Sequence, residues 1–387
     1  MRFLHTSDWH LGRRFHEADL TDAQRVFLTH VHDTAREQQV DAILVAGDIY
    51  DRAIPSLDAV RLFNDALNQL ADLRLPIIMI SGNHDSAHRL GVGSRLLARA
   101  GVHLRTDPAT ACTTPVLLDD EHGTVAIYGI PYLEPSLTRD ELGAEKTHQA
   151  VLTAALDRIR ADLATYPTGT RSVALAHAFV ANAKPSTSER DITVGGLDYV
   201  SASAFDGIDY AALGHLHGAQ TISDRIHYSG SPLAYSFSES DHSKTLTVVD
   251  LHGDSTVTLT PVPTPVPRPL ACLKGTLQDL LTNPAHEHLT ESWLQVTLTD
   301  PALPYEPMAK LRRRFPHTMQ LLHKRPDTAQ PGDRPTYTQR LEGRTDLEIA
   351  CDFVKKVRGT DPTPTEHDLL RQAVEASRIH AAQEVTV

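Results

Sequence analysis

The sequence predicts an α/β sandwich followed by a smaller α+β module. Three observations carry this. Apolar strand-like runs alternate with amphipathic helical segments from the first residue, which implies a largely parallel inner sheet. After Gly214 the pattern turns to short β runs with turn residues, suggesting a second, more antiparallel sheet that completes a sandwich. A stretch with proline at alternate positions, 261–269, then separates residues 1–260 from a mixed segment.

The strand-like runs are Arg2–Thr6, Ala42–Ala46, Pro76–Ile80, Thr124–Tyr128, Ser172–Ala176 and Tyr210–Leu213, with Thr21–Gln38, Leu57–Leu73 and Thr147–Leu163 reading as helices. Past Gly214, strands are expected around His227–Pro232, Thr245–Asp250 and Thr256–Thr260. Residues 261–269 read as a semi-rigid linker, and 270–340 as the α+β module. In that module Leu294, Val296 and Leu298 alternate as a half-buried strand, a short helix carries Lys310 and Arg312–Arg314, Thr318–His323 is a strand, and 326–340 is a polar, proline-rich loop. Residues 341–387 read as two helices, one with the stripe Leu347, Ala350, Val354 and Val357, the other from about Glu366 to Ala382.

Composition bounds the function. The chain has 387 residues, enough for a large core plus a smaller domain, and no apolar run near the roughly 18 residues of a membrane helix. Cys112, Cys272 and Cys351 are scattered without CxxC spacing, which argues against disulfides and zinc–thiolate sites and leads us to expect a cytoplasmic protein. The N-terminal stretch reads as a strand rather than a signal peptide. A net charge of −12 argues against coating nucleic acid by bulk electrostatics, whereas 22 histidines supply many candidate metal ligands.

Five short motifs each sit at the C-terminal end of a predicted strand: Asp8-Trp9-His10, Gly47-Asp48-Ile49-Tyr50-Asp51, Gly82-Asn83-His84-Asp85, His177, and Gly214-His215-Leu216-His217. Ligand sites in α/β sheets collect at this edge, so five arrivals can converge on one point. In extended backbone, residues two apart face the same way, pairing Asp8 with His10 and His215 with His217. Gly47, Gly82 and Gly214 allow tight turns where the chain leaves the sheet. Carboxylate, amide and imidazole donors without thiolate suit Mn²⁺, Fe²⁺ or Zn²⁺. Singly, each motif reads as readily as a turn or a satisfied polar group. Together they predict a metal site, and a central aspartate such as Asp48 is suited to bridge two metals.

These motifs resemble the calcineurin-like metallophosphoesterase superfamily. Ser7-Asp8-Trp9-His10-Leu11-Gly12, Gly47–Arg52, Ser186-Thr187-Ser188-Glu189-Arg190 and Tyr228-Ser229-Gly230-Ser231-Pro232 are similar to the SbcD family, the nuclease subunits of bacterial SbcCD complexes. The resemblance covers residues 1–260 by motif and the remainder more loosely. It implies a four-layer αββα phosphoesterase sandwich with a C-terminal α+β capping module. It further implies two divalent metals, most often Mn²⁺, one held by Asp8, His10, Asp48 and His217 and the other by Asp48, Asn83, His177 and His215. His84 would assist the leaving group rather than bind metal, with Asp85 orienting His84 or its loop. Asp51 matches the bacterial motif without an assigned role. The implied partners are an SbcC-type ATPase, docked by the C-terminal helices, and DNA ends or hairpins, with no membrane, in a heterotetramer containing a homodimer.

The expected function is ATP-gated endo- and exonucleolytic cleavage of DNA in repair and recombination. The alternatives are a phosphodiesterase or phosphatase for a small substrate, which would not need the module beyond Pro269, and a DNA-end-binding adaptor with a structural metal site. Trp9, Arg13 and Arg14 read equally as DNA contacts or as a loop with a packed tryptophan. The basic run Lys310 to Arg314 reads as a phosphate contact or a solvated face. His30, His32, His148 and His380 lack ligand companions and are expected to be exposed.

Overall fold

The computed structural model describes residues 1–181, 183–189, 199–324 and 344–384. Arg190 of the Ser186–Arg190 motif, the loop expected at 326–340 and the side chain of His380 lie outside the described residues. Residues Met1–Arg325 form one unit and Pro326–Val387 a second.

Strand β1 (Arg2–Thr6) leads through a hairpin, β2 (Arg14–Phe15) and β3 (Ala18–Asp19), and helix α1 (Thr21–Glu37) to β4 (Ala42–Ala46). Helix α2 (Leu57–Ala71) then leads to β5 (Ile77–Ile80) and β6 (Val102–Arg105). Next come β7 (Val116–Asp120), β8 (Gly123–Gly129), β9 (Arg171–His177), β10 (Tyr210–Gly214), β11 (Gln220–Ser223) and β12 (Ile226–Tyr228), followed by β13 (Thr245–Leu251) and β14 (Val257–Pro263). They form two six-stranded sheets, ordered β14-β13-β1-β4-β5-β6 and β11-β12-β10-β9-β8-β7. Strands β1, β4, β5 and β6 are parallel neighbours, as are β8, β9, β10 and β12.

Successive strand residues face opposite sides, and the apolar runs use both. Phe3, Leu44, Ile78, Val173, Leu175 and Ala212 pack between the sheets. Leu4, Ile43 and Val45 face outward onto Phe27, Val31, Leu62 and Phe63 of α1 and α2. On the other side Ala126, Tyr128, Ala174 and Ala176 meet Val151, Leu152, Leu156 and Ile159 of helix His148–Leu163. The result is helix, sheet, sheet, helix: four layers around three apolar seams. Strands buried on both faces explain why these runs read as continuous hydrophobics rather than as alternation.

Two sequence expectations are corrected. The strands after Gly214 do not make a separate antiparallel sheet. Strand β13 pairs antiparallel with β1, and β14 with β13, so both extend the first sheet, while β11 and β12 extend the second. The proline-rich stretch also begins inside the sheet: Pro261 and Pro263 lie in β14, opposite Thr247 and Thr245. Because β14 is an edge strand, their missing N–H groups cost no ladder bond on the open side.

In the same unit, β15 (Leu270–Gly275), β16 (Trp293–Leu298) and β17 (Thr318–His323) form a parallel three-stranded sheet. Helices Leu277–Thr282 and Pro307–Arg314 cover it through Leu280, Leu311 and Phe315. Phe15 of the β2–β3 hairpin stacks on Trp293 at 5.2 Å between centroids, tying this small sheet to the loop after β1. The second unit contains helices Asp346–Arg358 and Pro364–Glu384. Thr345 and Glu348 form a capping box at the first helix, which ends at Gly359 in the left-handed region. Among the described residues no helix is long and apolar enough to cross a membrane.

Candidate metal centre

The C-terminal ends of β1, β4 and β5 in one sheet meet those of β9 and β10 in the other. His177 is the last residue of β9, and the other candidate ligands sit in connections that leave their strands sharply. Asp8, His10, Asp48 and His215 have φ of 54°, 46°, 51° and 102°, a region side-chain-bearing residues rarely adopt. Such backbone persists only where the surroundings over-determine it, and here they do. Asp8 N–H donates to Gly47 O at 3.0 Å, His10 N–H to Asp48 O at 3.0 Å, and His215 N–H to the Asp8 carboxylate at 3.0 Å. The glycines serve close approach as well as turning. A Cβ on Gly82 would lie 2.1 Å from Asp48 Oδ1, and one on Gly214 would lie 1.8 Å from Ala46 O.

The side chains converge on Asp48, which is 2 % exposed. Its Oδ2 lies 3.5 Å from both His10 Nε2 and His177 Nε2, and its Oδ1 accepts the His84 N–H at 2.9 Å. Among the described residues three overlapping groups could hold a cation: Asp8, His10 and His217; Asp8, Asp48 and His177; and His10, Asp48 and His84. Asn83 joins through Oδ1, 2.9 Å from His177 Nε2. His215 is in none of those three groups, although its ring stands 5.3 Å from that of His177, centroid to centroid.

The proton inventory of the donor set fits a metal. His177 Nδ1 donates to Ala46 O at 2.9 Å, so the Nε2 that faces the Asn83 and Asp48 oxygens is a lone pair when the ring is neutral and an N–H donor to them when it is charged. His217 Nδ1 lies 2.6 Å from Ser188 Oγ, and His10 Nδ1 faces the Asp51 carboxylate at 3.6 Å. Their Nε2 atoms then point at each other, 3.1 Å apart. Imidazole nitrogens and carboxylates aimed inward, with the Nδ1 atoms of His177 and His217 held outward by Ala46 O and Ser188 Oγ, suit divalent cations. The electrostatics agree. Burial disfavours a charged His177, but Asp48 with Asp8 outweighs it and raises the imidazole to about 9, a demand for positive charge. Burial, with Asp48 nearby, raises Asp8 to about 6.

The other candidates separate into roles. His84 is half-buried beside the candidate ligands, its ring 4.7 Å from His10 and its Nδ1 donating to Asp51 O at 2.8 Å. Asp85, grouped with His84 as a candidate catalytic residue, does not orient the ring. Its carboxylate accepts backbone N–H groups from Tyr50 (2.8 Å), Gly82 (2.9 Å) and Ile49 (3.0 Å), fastening the Asp48 loop to the Asn83–His84 loop. Burial next to Asp48 raises it to about 7. Asp51 faces His10 Nδ1 and Arg13 with its carboxylate and His84 with its carbonyl.

Trp9 is fully buried, its indole N–H bonded to Thr6 at 3.0 Å, so it packs rather than contacts a ligand. Arg13 is held by Asp51, Ser188 O and the Tyr235 ring, whereas Arg14 is exposed. Of the arginine triplet, Arg314 is consumed by Leu280 O and Asn283 O, Arg312 bonds Thr318 O, and Arg313 is exposed. His148, expected at the surface, is 5 % exposed because the N-terminus of its helix packs into the domain. A cavity of about 950 Å³ opens beside Asn83 and His84 and is lined by Arg13, Arg14 and Arg52.

Sequence reasoning missed the support behind His217. Glu239 and Lys244 form a fully enclosed ion pair, and Lys244 Nζ also donates to His217 O at 2.9 Å. Two charges in a serine-rich stretch carry no signal that distinguishes them from surface residues. Ser188 and Glu189 stood out through resemblance alone. Tyr228–Pro232 also proves supportive, since Ser229 Oγ lies 2.9 Å from Ser7 Oγ, which donates to Asp8.

Comparison with known proteins matches two family models along the chain. Residues 1–219 match the family model described as calcineurin-like phosphoesterase. Residues 266–358 match the C-terminal domain of SbcD-type proteins, described as the type 5 capsule protein repressor C-terminal domain. Among solved structures, a Thermus thermophilus protein aligns at 13% identity and a TM-score of 0.39, covering 67% of this chain and 98% of its own. An archaeal phosphodiesterase aligns at 11% identity and 0.29, covering 68% and 100%. A dimetal phosphatase from Danio rerio aligns at 14% identity and 0.38, covering 68% and 96%. The chain belongs to the calcineurin-like phosphoesterase family, with an SbcD-type C-terminal domain following the phosphoesterase domain.

Proposed function

We propose that this chain is the nuclease subunit of an SbcCD-type complex and cleaves DNA phosphodiesters with two divalent metals, most readily Mn²⁺. The observation that carries the reading is the inward-facing donor set around Asp48, in which His10 Nε2 lies 3.1 Å from His217 Nε2 and Asn83 Oδ1 lies 2.9 Å from His177 Nε2. Asp8, His10 and His217 would share one metal with Asp48, and Asn83, His177 and His215 the other. When bound, the metals supply Lewis acidity and a water activated at neutral pH.

The residues of the chain supply the rest. In the hydrolysis, water oxygen bonds to phosphorus as the phosphorus–sugar oxygen bond breaks, and the departing oxygen takes up a proton. His84 is placed for that oxygen. Because Nδ1 is committed to the Asp51 carbonyl, Nε2 is the atom that meets the leaving group and passes it a proton. Arg13, Arg14 and Arg52 along the adjoining cavity suit a phosphate backbone, a local positive surface on a chain of net charge −12. On this reading the SbcD-type domain engages DNA and the ATPase, the C-terminal helices dock on the SbcC-type partner, two copies of each subunit assemble, and the complex works in the cytoplasm.

The test is cleavage by the purified chain with Mn²⁺, with and without an SbcC-type ATPase. The substrates are hairpin and duplex-end DNA and a nitrophenyl phosphodiester. Cleavage of DNA that is enhanced by the ATPase and ATP supports the reading. Turnover of the small ester without any action on DNA points to a small-substrate phosphodiesterase instead.

A further inference from the structure

Behind His217 lies a half-buried chain of hydrogen bonds that the metal centre itself does not explain. His217 Nδ1 is 2.6 Å from Ser188 Oγ, and Ser188 Oγ is 2.6 Å from Glu239 Oε1. The proton positions follow from chemistry. A carboxylate only accepts, so the single Ser188 hydroxyl proton belongs to the bond with Glu239. Ser188 Oγ must then accept from His217, which makes Nδ1 the protonated ring nitrogen and turns Nε2 toward His10 and the metal centre.

Each member is fixed in turn. Glu239 Oε1 also accepts the Tyr235 N–H at 3.0 Å, and Glu239 Oε2 is paired with Lys244. Lys244 Nζ donates to Ser231 Oγ at 2.9 Å and to the His217 carbonyl at 2.9 Å, so the same cation holds the backbone of the histidine whose ring the relay orients. The Ser188 segment is clamped from both sides. Its carbonyl accepts from Arg13 at 3.1 Å, the Thr187 N–H donates to Ser238 Oγ at 3.0 Å, and Glu189 Oε1 accepts the His217 N–H at 2.8 Å.

We infer that Glu239, acting through the Ser188 hydroxyl, is a positioning residue for the metal bound by His217. The relay locks one tautomer of the ring, fixes its rotation, and passes part of a carboxylate's charge to Nε2, making it a better donor. The inference rests on the metal-centre reading above. A hydroxyl relay is sensitive in a way that direct contact is not, because Glu239 Oε1 lies 3.6 Å from His217 Nδ1 and reaches the ring chiefly through Ser188.

Calorimetric titration of the metal-free full chain with Mn²⁺ tests this without any assay of turnover. Wild type should bind two equivalents. Ser188→Ala, which leaves the Glu239–Lys244 pair intact, should weaken one of the two by about 10–100-fold and leave the other unchanged. Ser188→Thr, which keeps the hydroxyl, should restore it. In a His217→Ala background Ser188→Ala should have no further effect, because its only route to the metal is gone. Glu239→Gln should match Ser188→Ala if it folds, and the Ser188 pair decides the matter if it does not. Unchanged Mn²⁺ affinities in Ser188→Ala, or an additive loss in the His217→Ala background, would overturn the relay. Failure of wild type to bind two equivalents would instead overturn the metal-centre reading.

Discussion

His84 is anchored to Asp51 through Nδ1, 2.8 Å from the backbone carbonyl, while its own N–H holds Asp48 Oδ1 at 2.9 Å. One residue therefore joins the central carboxylate to the loop that faces the adjoining cavity. A ring fixed this way can protonate a poor leaving group. His84→Ala should keep both metals and lose roughly 10²–10⁴-fold in DNA cleavage. On a nitrophenyl diester, whose leaving group needs no proton, the loss should stay below about tenfold. Paired rate measurements on the two substrates check this, and equal losses would remove the acid role.

Asp85 is predicted to matter for architecture. Three backbone N–H groups share its two oxygens, and an amide can accept with only one. Asp85→Asn should cost about 1–3 kcal/mol in thermal or urea unfolding of the metal-free protein and weaken Mn²⁺ binding by detaching the Asn83–His84 loop. Unchanged stability and metal affinity would contradict that role.

Gly214→Ala should be the most damaging single-methyl change. The added carbon would sit 1.8 Å from Ala46 O, between the two sheets where β4 meets β10. Backbone must move, at a cost of about 3 kcal/mol or more. Denaturant unfolding measures it, and a variant of wild-type stability would show that the sheets separate freely there.

His227 links the sheets. Its ring bonds Thr221 of β11 and Thr247 of β13, each at 3.0 Å. Burial lowers it to about 4, so the unfolded chain binds the extra proton between about 6.5 and 4. Its contribution to stability is complete above pH 6.5 and is lost as pH falls through about 4, to the extent of about 3 kcal/mol. His227→Gln should flatten the stability–pH curve in that window. A curve of unchanged slope would assign the acid sensitivity to other buried histidines such as His5.

The legibility of this chain follows physical lines. Asp8, Asp48, Asn83, His177 and His215 were readable because each follows an apolar run by no more than three residues, and parallel strands deliver such residues to one edge. The inner strands were readable because burial on both faces leaves continuous apolar runs. Strands β13 and β14 were assigned to the wrong sheet because Val248 and Val249 fit either edge, and only pairing with β1 decides. Pro261 and Pro263 looked like a linker because the exemption of an edge strand from ladder bonding is a property of position. Glu239 and Lys244 stayed invisible because an ion pair five residues apart reads as solvated until the surrounding turn buries it.

The central claim is that Asp48 serves both metals, and the number of Mn²⁺ ions bound per chain in Asp48→Ala tests it most directly. Wild type should bind two, and Asn83→Ala should retain the ion shared by Asp8, His10 and His217. Asp48→Ala, folded by circular dichroism, should bind neither at concentrations that saturate wild type. Two ions bound with near wild-type affinity in Asp48→Ala would contradict the account.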